Sequence, residues 1–514
     1  MPGRVVVVGA GLGGLSAAVR LAAAGARVTL LEREARPGGR AGRFERDGYA
    51  FDTGPTVLTM PGLVAELFAL AGEDMGEHLP VRRLDPAYRA SFHDGSVLCV
   101  RGSVDAMEQE VRDVCGPAEA ARFRGFAEHL RRLYRAEFPT FIDRNFRTPL
   151  DLARPQLAAL VRLGGLRRLH PLVSSHLRDW RLRRLFTFQA MYAGMSPFRA
   201  LGVYAVIAYM DTVAGVFFTP GGIHRLPTEL AALAGRVGVD VRYRSTVERV
   251  EVRGGRATGV RTTDGAFFPA DVVVLNPDLP VAYRDLLPPG ATPARVRRLR
   301  YSPSCVVVHL GLDRRLRGAE HHNIHFARGY RESFDDLLAG RLQRDPSWFL
   351  TVPTRGDPAL APPGGEVGFY LLPAPNREGV VGTQIDWDAQ GPRELLAAQR
   401  RMEAAGYGPV RDATLVAEVV TPSDWERRGM AAGTPFAASH GFGQTGPFRP
   451  RNVAPKVDGV VFVGSGTTPG VGVPMVLVSG RLAAERAATM LGPAARWTPR
   501  AAWAGPGAWA GQTA

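Results

Sequence analysis

The sequence predicts an α/β fold in which a discontinuous, Rossmann-like dinucleotide-binding domain carries a mixed α+β substrate domain and a mainly helical insertion. Three observations predict it. An apolar run, Val5 to Val8, leads into glycines 9, 11 and 14 and then into a helical stretch. Similar apolar runs return far along the chain at residues 271–275 and 460–463. Between the first and the second, residues 105–216 read as mostly helical.

The opening element has the parts that a dinucleotide needs. Four consecutive valines suit a strand buried on both faces of a parallel sheet. In the G-x-G-x-x-G spacing, Gly9 allows the tight turn, Gly11 lets a pyrophosphate approach the backbone, and Gly14 lets helix pack on strand. The following helix presents free N–H groups and the positive end of its dipole to phosphate. Residues 27–31 form a second strand ending at Glu32, where a carboxylate bonds the ribose hydroxyls of an adenosine and disfavours a 2′-phosphate.

Arg36-Pro37-Gly38-Gly39-Arg40 follows directly, then Phe51-Asp52-Thr53-Gly54-Pro55-Thr56. A glycine pair beside an arginine lets backbone and guanidinium approach a second phosphate or a flat ring. The alternative is a Gly/Pro loop followed by another turn.

The 514 residues suggest two or three domains; 45% hydrophobic and 22% charged residues favour a large core over disorder. The net charge of +15 rests almost wholly on arginine, since Lys456 is the only lysine, and that skew is more simply a coding bias. With no zinc spacing, RNA-binding signature or helix-turn-helix pattern, nucleic acid is not an expected partner. Cys99, Cys115 and Cys305 are scattered and odd in number, as in a reduced cytoplasmic protein without disulfides or a metal site. Because the sequence opens directly into a strand, no signal peptide is expected, and no run of 18 apolar residues predicts a transmembrane span.

Further along, residues 117–142 and 157–185 read as helical, the latter rich in arginine. Residues 201–210 are apolar all round and are broken by Asp211, with Val203, Ile207 and Met210 as candidates for a cavity wall. After Pro220-Gly221-Gly222 come a helix at 226–237, strands at 239–243 and 247–252, and a Gly254-Gly255 hairpin turn into residues 257–262. Residues 276–454 mix strands and helices as a substrate domain. The strand at 460–463 meets a second glycine turn, 464–474, and a helix at 475–490. The expected domains are 1–104 with 220–275 and 455–495 for the cofactor, 105–219 for the insertion, 276–454 for substrate, and a disordered tail at 496–514.

Residues 5–56 resemble the FAD-binding start of the flavin amine oxidase superfamily. With the stretches 51–61, 188–194, 215–222, 448–450 and 464–470, the chain resembles the bacterial phytoene desaturases of the CrtI type, especially the actinobacterial ones. The resemblance implies non-covalent FAD as the sole redox cofactor. Its candidate contacts are Gly9, Gly11, Gly14, Glu32, Arg33, Gly39, Arg40, Gly54, Pro55, Thr56, Val247, Gly464, Gly466 and Val473. It also implies a peripheral membrane enzyme that draws phytoene or a similar linear carotenoid from the lipid surface and dehydrogenates it stepwise towards lycopene, with oxygen or a quinone reoxidising the flavin. Alternatives on the same scaffold are a redox-neutral carotenoid isomerase and a desaturase of a C30 or modified carotenoid; an amine oxidase and a non-enzymatic flavoprotein fit the residues less well.

Two departures from the resemblance matter. Thr468 stands where many relatives have histidine. Asp151 and Arg154 fit the Asp-x-x-Arg pair that relatives place in the insertion, proposed there for acid/base work, but the neighbouring spacing differs from those relatives; the alternative is a helix-start aspartate. For membrane docking the expected surface interleaves Arg162, Arg167, Arg168, Arg178, Arg181 and Arg183 with Leu157, Leu160, Leu163, Leu166, Leu169 and Leu172. The alternative is a basic helix face whose leucines pack inward.

Overall fold

Strand β1 (Arg4–Val8) is the centre of a five-stranded parallel sheet in the computed structural model, which describes residues 3–152, 155–378 and 385–492. β2 (Arg27–Leu31) and Val272–Leu275 flank it, with Asp240–Arg242 and Val460–Phe462 at the edges. Val5 pairs with both Val28 and Val272. Val5 and Val7 pack on the side of helix α1 (Leu12–Ala23), whereas Val6 and Val8 pack with Val250 and Val260 of an antiparallel three-stranded sheet. Both faces of β1 are therefore covered, which is why its sequence is continuously apolar rather than alternating.

The two ends of the chain meet on α1. Helix Val473–Leu491 crosses it at Gly480, where a Cβ would lie 2.4 Å from that of Ser16, and the Ser16 hydroxyl donates to the Leu477 carbonyl at 2.9 Å. Beside this crossing Glu66 pairs with Arg20 at 2.9 Å and Arg481 at 3.4 Å, and Arg481 also pairs with Asp143. Arg20, Glu66 and Arg481 are buried, so removing one partner would leave another uncompensated.

A seven-stranded sheet forms the second layer, in the order Thr414–Val420, Ser304–Leu312, Glu366–Ala374, Trp348–Thr351, His322–His325, Tyr88–Ser91 and Val97–Val100. The last two strands correct the expected boundary. Residues 88–100 were expected with the cofactor domain, but Tyr88–Ser91 pairs in parallel with His322–His325 and extends the substrate sheet. The local pattern specifies a hairpin; the free strand edge that it joins lies more than two hundred residues away.

The insertion is helical, with Val104–Cys115, Pro117–Glu137, Pro155–Arg162, Leu169–His176 and Trp180–Phe188 as its main helices. Residues 201–214 form no long helix. They divide into a 3₁₀ turn (Gly202–Ala205), a short α-helical turn (Val206–Ala208) and a π turn (Tyr209–Ala214). Asp211 lies inside the last of these; the break comes at Gly215, whose φ of +100° suits a residue without a side chain. The expected tail at 496–514 lies outside the described residues.

Candidate active site

Segments from the start, middle and end of the chain line one cavity of about 1200 Å³. That exceeds the several hundred to roughly 1,000 Å³ of ordinary small-molecule pockets.

One end is the glycine turn between β1 and α1. Gly9, Gly11, Glu32, Arg33, Val247 and Asn276 line it. A Cβ on Gly11 would lie 2.5 Å from Asn276 Nδ2, so the missing side chain is what keeps this approach open. Gly14 is not in the wall; a Cβ there would lie 2.1 Å from the Gly9 carbonyl oxygen, so it serves helix-on-strand packing. The buried Glu32 carboxylate accepts from the N–H of Ala10 at 2.6 Å and of Glu34 at 2.9 Å, which fixes it beside the turn. No side chain caps α1, whose first N–H groups are left for an anion.

The middle of the cavity is organised by Arg40, whose guanidinium donates to the Ser465 hydroxyl and lies 3.6 Å from the buried Asp278 carboxylate. Asp278 also accepts from Leu279 N at 3.1 Å and Ala431 N at 3.0 Å. Gly39, Gly54, Pro55 and Thr56 line the same region, and a Cβ on Gly54 would lie 1.9 Å from the Arg40 carbonyl oxygen.

Opposite stands the second glycine turn, with Gly464, Gly466 and Val473 in the wall. Gly464 has a φ of +109°, and the helix from Val473 starts without a side-chain cap. Arg449, fully buried, holds this turn by donating to the carbonyls of Ser465 at 2.5 Å and Thr467 at 2.9 Å. Burial lowers its pKa to about 10, which leaves it a cation at neutral pH. Thr468 is buried in the turn but is not part of the cavity wall.

The remaining wall is largely apolar: Phe141, Ile142, Leu157, Leu160, Val203, Ile207, Met210, Phe349 and Leu371. Leu166 and Phe442 line the cavity and are also 45% and 61% exposed, so the cavity meets solvent at these residues, as it does at the exposed Arg33 and Glu34. Two buried carboxyl groups, Glu137 and Asp211, interrupt the apolar wall.

The family model for flavin containing amine oxidoreductases matches residues 12–488. The chain belongs to that family.

Within the flavin amine oxidoreductases, it is 52% identical over 94% of both chains to a phytoene dehydrogenase from Streptomyces griseus. It is 38% identical to a zeta-carotene-forming phytoene desaturase from Myxococcus xanthus, over 95% of this chain and 94% of the other. In fold it is similar to an oxidoreductase from Methanosarcina mazei, at 17% identity and a TM-score of 0.63, covering 93% of this chain and 99% of that one.

FAD is the cofactor of this flavin amine oxidoreductase, and the cavity fits it. The side-chain-free approaches at Gly11 and Gly54, the carboxylate at Glu32 and the two uncapped helix starts are the features that a dinucleotide with a flat ring requires.

The expected acid/base pair fares differently. The Asp151 carboxylate accepts from the N–H of Arg147 at 2.7 Å and of Thr148 at 3.4 Å, closing the turn before Pro149–Leu152, and it does not line the cavity. These bonds hold its carboxyl below the usual carboxylate range. That is the helix-start alternative rather than a group aimed at substrate. Arg154 lies outside the described residues.

Sequence reasoning passed over Asn276, Asp278 and Glu137, gave Arg449 no role of its own within the 448–450 stretch, and read Asp211 only as a helix break. The one available signal was compositional: Asp211 is a lone acid at the end of an apolar run.

Proposed function

We propose that this flavin oxidoreductase desaturates linear carotenoids, dehydrogenating phytoene stepwise towards lycopene. One observation carries the reading: a single cavity runs from a dinucleotide turn to an apolar opening, so a long hydrocarbon can reach the cofactor without crossing water. The names of the Streptomyces and Myxococcus relatives support the same substrate class. When bound, FAD supplies the acceptor for a hydride from a C–H bond.

The chain supplies binding, orientation and the exclusion of water. We assign Glu32, Arg33 and Val247 to the adenosine end, and Gly9, Gly11, Gly39 and Arg40 to the pyrophosphate and its surroundings. Gly54, Pro55, Thr56, Gly464, Gly466 and Val473 are assigned to the ring end, with Gly14 supporting the first turn. Ile207, Met210 and Phe349 orient the polyene by shape alone, since a hydrocarbon offers nothing to hydrogen-bond. Oxygen or a quinone is the expected final oxidant.

The substrate dissolves in lipid, so the opening docks on a membrane surface. Among the described residues no helix is long and apolar enough to cross a bilayer, and the reading is therefore peripheral attachment. Leu150, Val161, Leu166 and Phe442 are exposed, and the turn carrying Leu150 packs beside residues 446–448 near the opening. Arg162, Arg167 and Arg168 are exposed on the same segment. The docking surface is narrower than the sequence suggested. Leu160, Leu169 and Leu172 point into the core, Arg181 pairs with Asp179 at 2.7 Å, and Arg183 donates to the Leu177 carbonyl at 2.8 Å.

Incubating purified protein and FAD with phytoene in liposomes, followed by chromatography and mass measurement, tests the function. Desaturation lowers the product mass by two hydrogens per step, whereas unchanged mass with altered geometry would mean an isomerase.

A further inference from the structure

The two carboxyl groups in the apolar wall have no place in cofactor binding. Burying an ionisable group in such a wall is costly unless it has a partner or a task. Glu137 ends helix Pro117–Glu137, and its Oε2 is buried without a hydrogen-bond partner. Burial pushes its pKa far up, which favours the protonated form and works against a role as proton acceptor. His440, also in the wall, is held neutral by burial, but its Nε2 already faces the N–H of Val471 at 3.4 Å. Asp211 differs from both. It accepts a hydrogen bond from the Tyr88 hydroxyl at 3.2 Å, and that bond favours the ionised form against the burial that opposes it.

The surroundings of Asp211 leave that balance to few groups. Tyr88 comes from Tyr88–Ser91 and Tyr192 from Gln189–Ala193. Arg83 reaches the Val213 carbonyl at 3.3 Å. Helix Pro117–Glu137 stacks Tyr134 on Tyr209 at 4.4 Å and brings Glu137 to the wall, and helix Val104–Cys115 turns Met107 and Val111 inward. Among these, burial and the Tyr88 bond set the protonation of Asp211, with a pKa of about 7.

We propose that the Asp211 carboxylate, positioned by the Tyr88 hydroxyl, takes the proton released from a linear polyene when each new double bond forms. The proposal rests on the desaturase reading. One saturated carbon gives up a hydrogen with its electron pair as hydride, which the bound FAD accepts. The neighbouring carbon gives up a hydrogen as a proton to Asp211 Oδ, and the electrons of that C–H bond become the π bond. The two electrons leave later to an oxygen- or quinone-type oxidant, and the proton on Asp211 leaves to solvent. Asp211 is then a catalytic residue and Tyr88 a positioning residue.

The test uses the FAD-loaded full chain in liposomes containing phytoene, mixed anaerobically across pH, with flavin absorbance as the readout. In the parent, the rate of flavin bleaching should rise with pH through about 7 as Asp211 ionises. Asp211→Asn should slow it by roughly 10²–10⁴-fold and abolish that rise while FAD content stays parental. Tyr88→Phe removes a bond that favours the carboxylate, so its profile should move to higher pH; this variant carries the test if Asp211→Asn does not fold. Independently of turnover, infrared spectra of the substrate-free holoenzyme should show a carboxylic acid band that disappears as pH rises through about 7 and is absent in Asp211→Asn. Parental rate and pH profile in both variants would overturn the proposal, as would loss of the pH dependence in Glu137→Gln instead. A parent whose flavin no polyene bleaches at any pH would overturn the desaturase reading, and the infrared band would still report whether Asp211 titrates there.

Discussion

The guanidinium of Arg40 donates to the hydroxyl of Ser465 across 425 residues of chain. With the Asp278 carboxylate 3.6 Å from the same guanidinium, one side chain fastens the Gly38-Gly39 loop, the segment after a middle strand and the second glycine turn to each other. Arg40→Ala should therefore loosen both halves of the cofactor site. A hydrogen bond to a charged group is worth about 1.5–3 kcal/mol, so the FAD dissociation constant should rise about 10- to 100-fold. Flavin release during dialysis, followed by fluorescence, measures it.

Gly54→Ala should be worse than its size suggests. The added methyl would lie 1.9 Å from the Arg40 carbonyl oxygen, which is backbone and must itself shift. Purified protein should be folded by circular dichroism but nearly colourless, and Gly11→Val should behave alike because its side chain fills the pyrophosphate approach. Full yellow colour in either variant would contradict the cofactor placement.

How much of this was legible follows from how local each signal is. Gly9, Gly11, Gly14 and Glu32 sit within one strand–turn–helix–strand unit, and their spacing alone carries the chemistry. The Gly254-Gly255 turn was equally local, and its φ values of +55° and +78° are those that a tight hairpin demands. The roles of Arg449 and Asp278 were illegible because their partners are carbonyls, N–H groups and a guanidinium that only the folded chain brings together. Residues 88–100 were placed in the cofactor domain by their position in the chain, whereas they extend the substrate sheet, because a local strand pattern does not name the edge it joins. Asp211 was misjudged for a subtler reason: an acid after an apolar run reads as a helix end, whereas here a π turn carries it into the cavity wall.

Asp151→Ala should leave turnover within about threefold of the parent, because its carboxylate closes a local turn and does not reach the cavity. Steady-state product formation checks it. A loss of roughly 10²-fold or more with FAD content unchanged would restore an acid/base role.

Stability should depend on pH through Asp211. Burial raises its pKa from 3.8 to about 7, so the folded chain holds a proton there that the unfolded chain has lost. The group makes no difference below about pH 4, lowers stability progressively as pH rises towards 7, and is constant above. Asp211→Asn removes that dependence. Its melting temperature relative to the parent should rise between pH 4 and 7, by an amount reflecting up to roughly 4 kcal/mol, and stay flat beyond. Differential scanning calorimetry across that range reads the trend, and a parallel pair of curves would contradict it.

For the docking surface, Leu166→Asp with Phe442→Asp places two charges at the rim of the cavity, where both side chains are exposed. Liposome flotation should fall strongly. Changing Arg162, Arg167 and Arg168 to glutamate should reduce binding to anionic liposomes by about 1 kcal/mol per residue and remove its salt sensitivity. Unaltered flotation in both variants would move the surface elsewhere.

The most direct test of the central claim is a single anaerobic mixing of the FAD-loaded parent with phytoene in liposomes, without any added oxidant. Carotenoid desaturation predicts that the flavin's visible absorbance bleaches and that one polyene lighter by two hydrogens appears for each flavin reduced. Flavin that keeps its colour beside phytoene of unchanged mass would contradict it.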